Sequence, residues 1–298
     1  MYKRLELHNH TNESDAVFTC KELTDFMVAD QVDAFALTDH NTISGHCKIK
    51  NYLKEHPQPI DFIPGMEYTT YYGHILCLNL TEYVPWENIN RHKPELLFRA
   101  ARKKGALVGV AHPYSFGWPF AQGCRFEMTI TDYSCCDFIE IFNNPEPLHE
   151  VNEKGVKLWE NLVLSGEKLA ATCGMDLHGD STLHGHYSTY IQGEPHGDVC
   201  QELSDAIHNQ CTGYARDLCW MYITMEKHSP SPSTRPENRD TNRSPGMITR
   251  SPSAPKIGSS PAMSPTRSRW LLLQSMLLLS RCFSRKKPLS KTSYVQAL

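Results

Sequence analysis

Five short apolar runs in this chain each stop at a histidine or a carboxylate. LEL ends at His8 and His10, AFALT at Asp39 and His40, DFIPGM at Glu67, LVGVA at His112, and AATCGM at Asp176 and His178. Residues of these types placed at random would fall in helices and loops as well. Their repeated placement after strand-like runs implies that they gather at one end of one sheet. Side chains two apart on a strand point the same way, so His8 and His10 face a common space.

The H-x-H spacing carries little by itself. Fifteen histidines in 298 residues produce such a pair by chance roughly 0.7 times, and His184-x-His186 is a second instance, in a Gly-rich loop where a solvated pair is expected. Context separates the two pairs.

Strand candidates are Arg4–Leu7, Ala34–Thr38, Phe62–Pro64, His74–Leu80, Leu107–Val110, Phe138–Phe142, Ala170–Cys173 and Ser188–Ile191. Between them, ELTDFMVADQ and ELLFRAARKKG space apolar residues at i, i+3, i+4, and the second closes on Lys103, Lys104 and Gly105, a helix C-terminus signal. Alternating strands and helices from Lys3 to about Tyr214 predict a parallel sheet or barrel, in which functional groups collect at the strands' C-terminal ends.

Charge divides the chain. Residues up to His228 hold 18 Lys and Arg against 31 Asp and Glu; Ser229 to Leu298 hold 12 against 2. In 229–269, 18 of 41 residues are Ser or Pro, a composition that cannot bury enough apolar surface to order itself. The expected organisation is a folded domain over 1–228 and a disordered tail over 229–298, either a non-native extension or a segment whose WLLLQSMLLLSRCFSRKK end lies on an anionic membrane. That apolar run is too short to span a membrane. Eleven cysteines without a C-x-x-C pair, behind an N-terminus with no apolar signal run, point to a reducing cytoplasm and to thiols used as small buried hydrophobes.

Imidazole and carboxylate together are the ligand set of Zn, Mn or Fe, and carboxylates offset and bridge the charge of several ions. No G-x-S-x-G elbow and no evident cysteine nucleophile is present, which leaves metal-activated water as the expected nucleophile.

The successive stretches LHNHTNESD, LTDHN, GMEYTTYYGH, VAHP and GMDLHG resemble the motifs of the PHP (polymerase and histidinol phosphatase) metal-dependent hydrolases, and GMEYTTYYGH resembles the carbaryl-hydrolase-like branch. The resemblance covers about residues 3–195. It implies a distorted seven-stranded α/β barrel holding two or three divalent ions. His8, His10, Glu67 and Asp176 would bind the first. Glu67 would bridge to a second, completed by His74 and His112. Asp15, His40 and His178 would bind a third. Glu67, Asp176 and His178 would hold the reacting water. Asp39 would orient a ligand, Glu140 would face either the cavity or an outward salt bridge, and Glu13 would face solvent. Arg91, His92, Tyr114 and Arg125 are candidate substrate contacts.

The expected reaction is hydrolysis of a phosphoester in a small metabolite, nucleotide or oligonucleotide. A carbamate, ester or amide hydrolase on the same cluster is the alternative, and a non-catalytic metal-binding module a third reading. Nucleic acid enters mainly as a substrate; contacts by the basic tail would be to phosphates and salt-dependent.

Overall fold

The structure is a computed structural model that describes residues 1–87, 89–115, 124–143, 150–179, 186–216 and 219–221. All belong to the unit Met1–Pro230. The expected tail, 229–298, and His184 lie outside the described residues.

The strands are β1 (Tyr2–Glu6), β2 (Ala34–Leu37), β3 (Asp61–Thr70), β4 (Gly73–Leu78), β5 (Leu107–Val110), β6 (Phe138–Phe142), β7 (Ala170–Cys173), β8 (Tyr187–Gln192), β9 (Gly213–Arg216) and the three-residue β10 (Cys219–Met221). They form one sheet in the order β10-β9-β8-β1-β2-β3-β4-β5-β6-β7. All eight predicted strands are present, and β9 and β10 bring the count among the described residues to ten against the seven expected. They carry regular structure past Tyr214.

The sheet is also mixed rather than parallel. Parallel pairs join β1, β2 and β3 and again β5, β6 and β7, while β4 runs antiparallel to both neighbours. The cause is the turn at Tyr71 and Tyr72, because only antiparallel neighbours can be joined by so short a connection. Gly73, at φ +126°, turns the chain there, and a Cβ at that position would lie 2.7 Å from the Phe126 backbone. In this register Thr69 faces His74.

The helices are α1 (Cys20–Ala29), α2 (Gly45–Glu55), α3 (Glu95–Lys103), α4 (Glu150–Leu164) and α5 (Val199–His208). Thr19 and Glu22 form a reciprocal cap at the start of α1, satisfying two otherwise unpaired N–H groups. Helix α3 ends at Lys103, and Gly105 follows at φ +85°, as its sequence signal predicts.

Helix α5 closes one end of the sheet. Its Val199, Leu203 and Ile207 share one buried cluster with Ala34, Phe138 and Ala170, the first residues of β2, β6 and β7. Each such side chain taken fully out of water contributes about 1.5–3 kcal/mol. Among the described residues, no helix is long and apolar enough to cross a membrane. Cys20, Cys77, Cys135, Cys136 and Cys173 are buried thiols, whereas Cys47 and Cys211 are exposed.

The sheet curls until it is nearly closed. The free edge of β7 meets β8 through the Thr189 hydroxyl, which donates to Cys173 O (3.0 Å) and accepts from Cys173 N–H (2.8 Å). Past the strand ends, His10 N–H donates to Leu177 O (2.9 Å) and Leu177 N–H to His8 O (3.3 Å). This seam brings the ends of the first and seventh strands together at the end opposite α5. It is why His8 and His10 meet Asp176 and His178, more than 160 residues away.

Candidate metal centre

Glu67, fully buried in β3, is the hub. Its Oε1 lies 2.8 Å from His74 Nδ1 and 2.9 Å from His112 Nε2. Its Oε2 lies 2.9 Å from His40 Nδ1, 3.4 Å from His8 Nε2 and 3.5 Å from His10 Nε2. Asp176 Oδ1 is 2.9 Å from His10 Nε2 and 3.4 Å from His8 Nε2. Farther out, Asp15 Oδ1 sits 3.3 Å from His178 Nε2 and 3.5 Å from His40 Nε2. All nine expected ligand positions therefore converge.

Their donor atoms fall into groups compact enough to surround an ion. One group, His8, His10, Glu67 and Asp176, is the expected first set. Another, Asp15, His40 and His178, is the expected third set with His10 added. The expected second set differs: Glu67 and His74 group with His40, while His112 groups with His8 and Glu140. His112 and His74 nevertheless both lie against the same oxygen, Glu67 Oε1.

Metal fits the first group on chemical grounds. His8 Nε2 and Glu67 Oε2 are both buried and make no well-formed hydrogen bond among the described residues, Oε2 having only the ion-pair approaches of His40, His8 and His10, although such groups are costly to bury unmatched. The two atoms lie 3.4 Å apart and border the same small space. A cation placed there satisfies both.

The backbone places ligands at a cost. His112 (φ +26°) and Asp176 (φ +55°) occupy left-handed conformations that non-glycine residues rarely adopt, the kind of strain that persists where surrounding bonds over-determine it. Glu140 Oε2 accepts His112 N–H at 3.0 Å, and Glu6 Oε1 accepts Met175 N–H at 2.7 Å, one residue before Asp176.

Charge balances internally. Burial acts to raise Glu67 and Asp176, but neighbouring imidazoles, His8 foremost, overturn it and hold both carboxyls well below the usual range. Burial acts to lower His8 and His112, and the carboxylates outweigh it: His8 is raised well above normal, mainly by Glu140 and Glu67, and His112 to about 9 by Glu67. Burial prevails at His10, lowered to about 4, and drives Glu6 up to about 8.

These directions predict coupling between protons and metal. Imidazoles must be neutral to ligate, so an ion has to displace protons from His8 and His112, and affinity should weaken as pH falls below about 9. We expect Zn²⁺ loading at pH 7 to release protons, read by calorimetry in buffers of differing ionisation enthalpy. A buffer-independent heat and a pH-independent affinity would refute this.

Several expectations change. Glu13 is not solvent-facing: its side chain is 13% exposed and held by Lys48 and Ser44. Asp39 does not orient His40; it accepts from Thr11 N–H (2.6 Å) and the Thr11 and Ser14 hydroxyls, fixing the loop that carries Asp15. His40 meets the Thr69 hydroxyl instead. His186 is buried rather than solvated. Among the candidate substrate contacts, Arg91, His92 and Arg125 are exposed, and Arg91 is engaged by Glu127 O and the Tyr72 ring. Glu140 resolves inward, buried against His8. Glu6 was not anticipated at all, although a carboxylate set between Leu5 and Leu7 was its visible mark.

No family model matches the chain. An uncharacterised protein of Methanocaldococcus jannaschii is 28% identical over 151 residues, covering 47% of this chain and 81% of the relative. Among solved structures, a two-domain protein of Bacteroides vulgatus containing a predicted PHP-like metal-dependent phosphoesterase superposes with a TM-score of 0.55 at 18% identity. The match covers 72% of this chain, which spans 65% of the length of that one. An amidohydrolase of Chromobacterium violaceum (TM-score 0.46, 16% identity, 71% of this chain and 97% of that one) is a more distant likeness. The chain thus has a PHP-like fold, a mixed α/β architecture built on a nearly closed, barrel-like sheet.

Proposed function

We propose that this protein is a metal-dependent phosphoesterase acting on a small phosphorylated metabolite, nucleotide or short oligonucleotide, with residues 1–228 as the catalytic domain and 229–298 outside it. The observation that carries the reading is the convergence of six imidazoles and three carboxylates around Glu67 and Asp176 at one end of the sheet. His8, His10, Glu67 and Asp176 would hold a first ion, Glu67 with His74, His112 and His40 a second, and Asp15, His40 and His178 a third. Zn, Mn and Fe all suit this donor set.

Bound divalent ions would supply an acidified water and neutralise charge on the phosphoryl oxygens. The chain's own residues do the rest. Glu67 and Asp176, kept ionised by the imidazoles around them, present fixed negative charge that needs no reorganisation during reaction. Asp15 and His178 have side chains 58% and 39% exposed, whereas His8, His10 and Glu67 are inaccessible. Substrate therefore approaches from the Asp15–His178 side, and Glu67, Asp176 and His178 line the position of the reacting water. Asp176 O accepts from His178 Nδ1–H (2.8 Å), which turns His178 Nε2 towards Asp15.

The test is hydrolysis of a chromogenic phosphoester by the full chain supplied with Mn²⁺ or Zn²⁺, run beside aryl carbamates. His10→Ala and Asp176→Ala should each lower turnover by at least about 100-fold, since even outer-shell losses in metal sites cost 10–100-fold. Wild-type turnover in either variant sinks the reading, and activity on carbamates alone replaces it with a carbamate hydrolase.

A further inference from the structure

Glu140 is 1% exposed in the middle of β6, among apolar neighbours, and both its oxygens are engaged. Oε1 accepts from His8 Nδ1–H at 2.9 Å. Oε2 accepts from the His112 backbone N–H at 3.0 Å and from Asn143 Nδ2–H at 3.1 Å. Asn143 N–H in turn donates to Asn152 Oδ1 (3.2 Å), tying the arrangement to α4. One carboxylate thus touches two candidate ligands that lie more than 100 residues apart in sequence.

We propose that Glu140 is a positioning residue that fixes the tautomer of His8 and the backbone of His112, setting two ligands with one side chain; this rests on the metal-binding reading above. A neutral imidazole carries one proton. With Nδ1–H donated to Glu140, the lone pair is left on Nε2, the atom that points at Glu67 Oε2 and Asp176 Oδ1. The opposite tautomer would aim an N–H at the ion. Glu140 is suited to this because a carboxylate only accepts. Three donors converge on it, and burial leaves no water to take its place.

The left-handed backbone of His112 adds the second half. Its N–H has a fixed, buried acceptor in Oε2, which compensates the conformation that swings the imidazole back to Glu67 Oε1. His112 Nδ1–H is separately satisfied by Cys124 O at 3.0 Å, so its ring orientation has its own support and its backbone depends on Glu140.

Glu140→Gln is the informative variant because it keeps the size and removes one acceptor. If the new amide nitrogen faces His8, the ring must present Nδ1 as acceptor and carry its proton on Nε2. If it faces His112, a donor meets a donor. The second orientation sets the amide against two donors, His112 N–H and Asn143 Nδ2–H, so the first prevails and the first ion loses affinity, by about 10–100-fold as for other outer-shell partners.

Three measurements on the full chain decide the matter. Zn²⁺ titration followed by calorimetry should show the tightest site weakened in Glu140→Gln. Long-range ¹H–¹⁵N correlation spectra of the Zn²⁺-loaded wild type should show His8 protonated at Nδ1 and not at Nε2. The same spectra of the variant should show that signal shifted or lost while the other imidazoles persist. A variant that merely folds poorly would not selectively change the His8 signal, and the wild-type spectrum stands without any variant.

Wild-type Zn²⁺ affinity in Glu140→Gln, or an unprotonated His8 Nδ1 in the wild type, overturns the proposal while leaving the hydrolase reading intact. Loss of one ion per chain with the His8 Nδ1–H retained overturns it in favour of Glu140 as a ligand. Absence of Zn²⁺ binding by the wild type overturns both.

Discussion

Glu67→Gln is expected to strip the centre of metal: at least one ion per chain is lost on Zn²⁺ loading, and phosphoester turnover falls by at least about 100-fold. Five imidazoles approach its two oxygens within 2.8–3.5 Å, so no single rotation of a glutamine amide can serve both sets. The NH₂ group must face either His74 and His112 or His40, His8 and His10. Stability should change as well, and in a pH-dependent way. In the metal-free protein the imidazoles of His8, His40 and His112 are raised by the carboxylates, Glu67 among them. Groups raised in the folded state stabilise it below their unfolded value near 6.5, and that contribution disappears as pH climbs through about 9. Removing Glu67 therefore costs most near pH 6 and least above pH 9. Breaking a buried ion pair costs about 3–5 kcal/mol, a drop in melting temperature on the order of 10 °C at pH 6. Thermal melts of metal-free wild type and variant at pH 6 and 9.5 check this, and equal differences at both values would refute it.

Much of this centre could be read before the fold was known, for one physical reason. A strand's direction and its alternation are local properties, so LEL followed by His8-x-His10 already states that two imidazoles share a side. What local pattern cannot state is who meets whom across the sheet. The seam between His8, His10 and Leu177 closes the barrel, and nothing within either segment encodes the other. The same limit applies to His74 and His112: their convergence on one oxygen of Glu67 follows from the β3–β4 hairpin and the pairing of β4 with β5, not from their spacing.

Burial misled in both directions. His186 lies in a segment that reads as a polar loop, yet it is buried just before β8, whereas Glu13 reads as solvated and is drawn in by Ser44 and Lys48 across 31 and 35 residues. Glu6 and Glu140 were legible only as anomalies. Glu6 between Leu5 and Leu7 and Glu140 in FIEIF each interrupt apolar neighbours, and only the tertiary structure shows that they point inward at the Met175 and His112 N–H groups. Beyond these, β9 and β10 escaped notice because GYAR and CWM are too short to display alternation.

Gly174→Ala should do more damage than any other glycine substitution near the site, and it links the fold to the chemistry directly. Gly174 follows β7 on the approach to Asp176, and a Cβ there would lie 2.5 Å from His8 Cβ, 2.8 Å from Glu140 Oε1 and 3.0 Å from His8 N. None of these atoms is the free end of a flexible side chain. The His8 backbone is pinned by Leu177 N–H at its carbonyl, and Glu140 Oε1 is pinned by His8 itself. Relief can come only by opening the seam between His8 and Leu177. Overpacking of this kind costs typically 1–3 kcal/mol, and here the displaced residues include His8, one of the ligands proposed for the first ion, so Zn²⁺ affinity should fall with stability. Gly105→Ala is the matched control. Its Cβ would meet nothing within 4 Å, but its φ of +85° penalises any side chain. It should lose about 1 kcal/mol with metal affinity untouched. Denaturant melts together with Zn²⁺ titration of both variants separate the two effects: Gly174→Ala must lower both quantities and Gly105→Ala only the first. A Gly174→Ala protein that binds Zn²⁺ as the wild type does would mean that the seam yields without moving His8, and that His8 is not held where the first ion needs it by the close approach of these two strands.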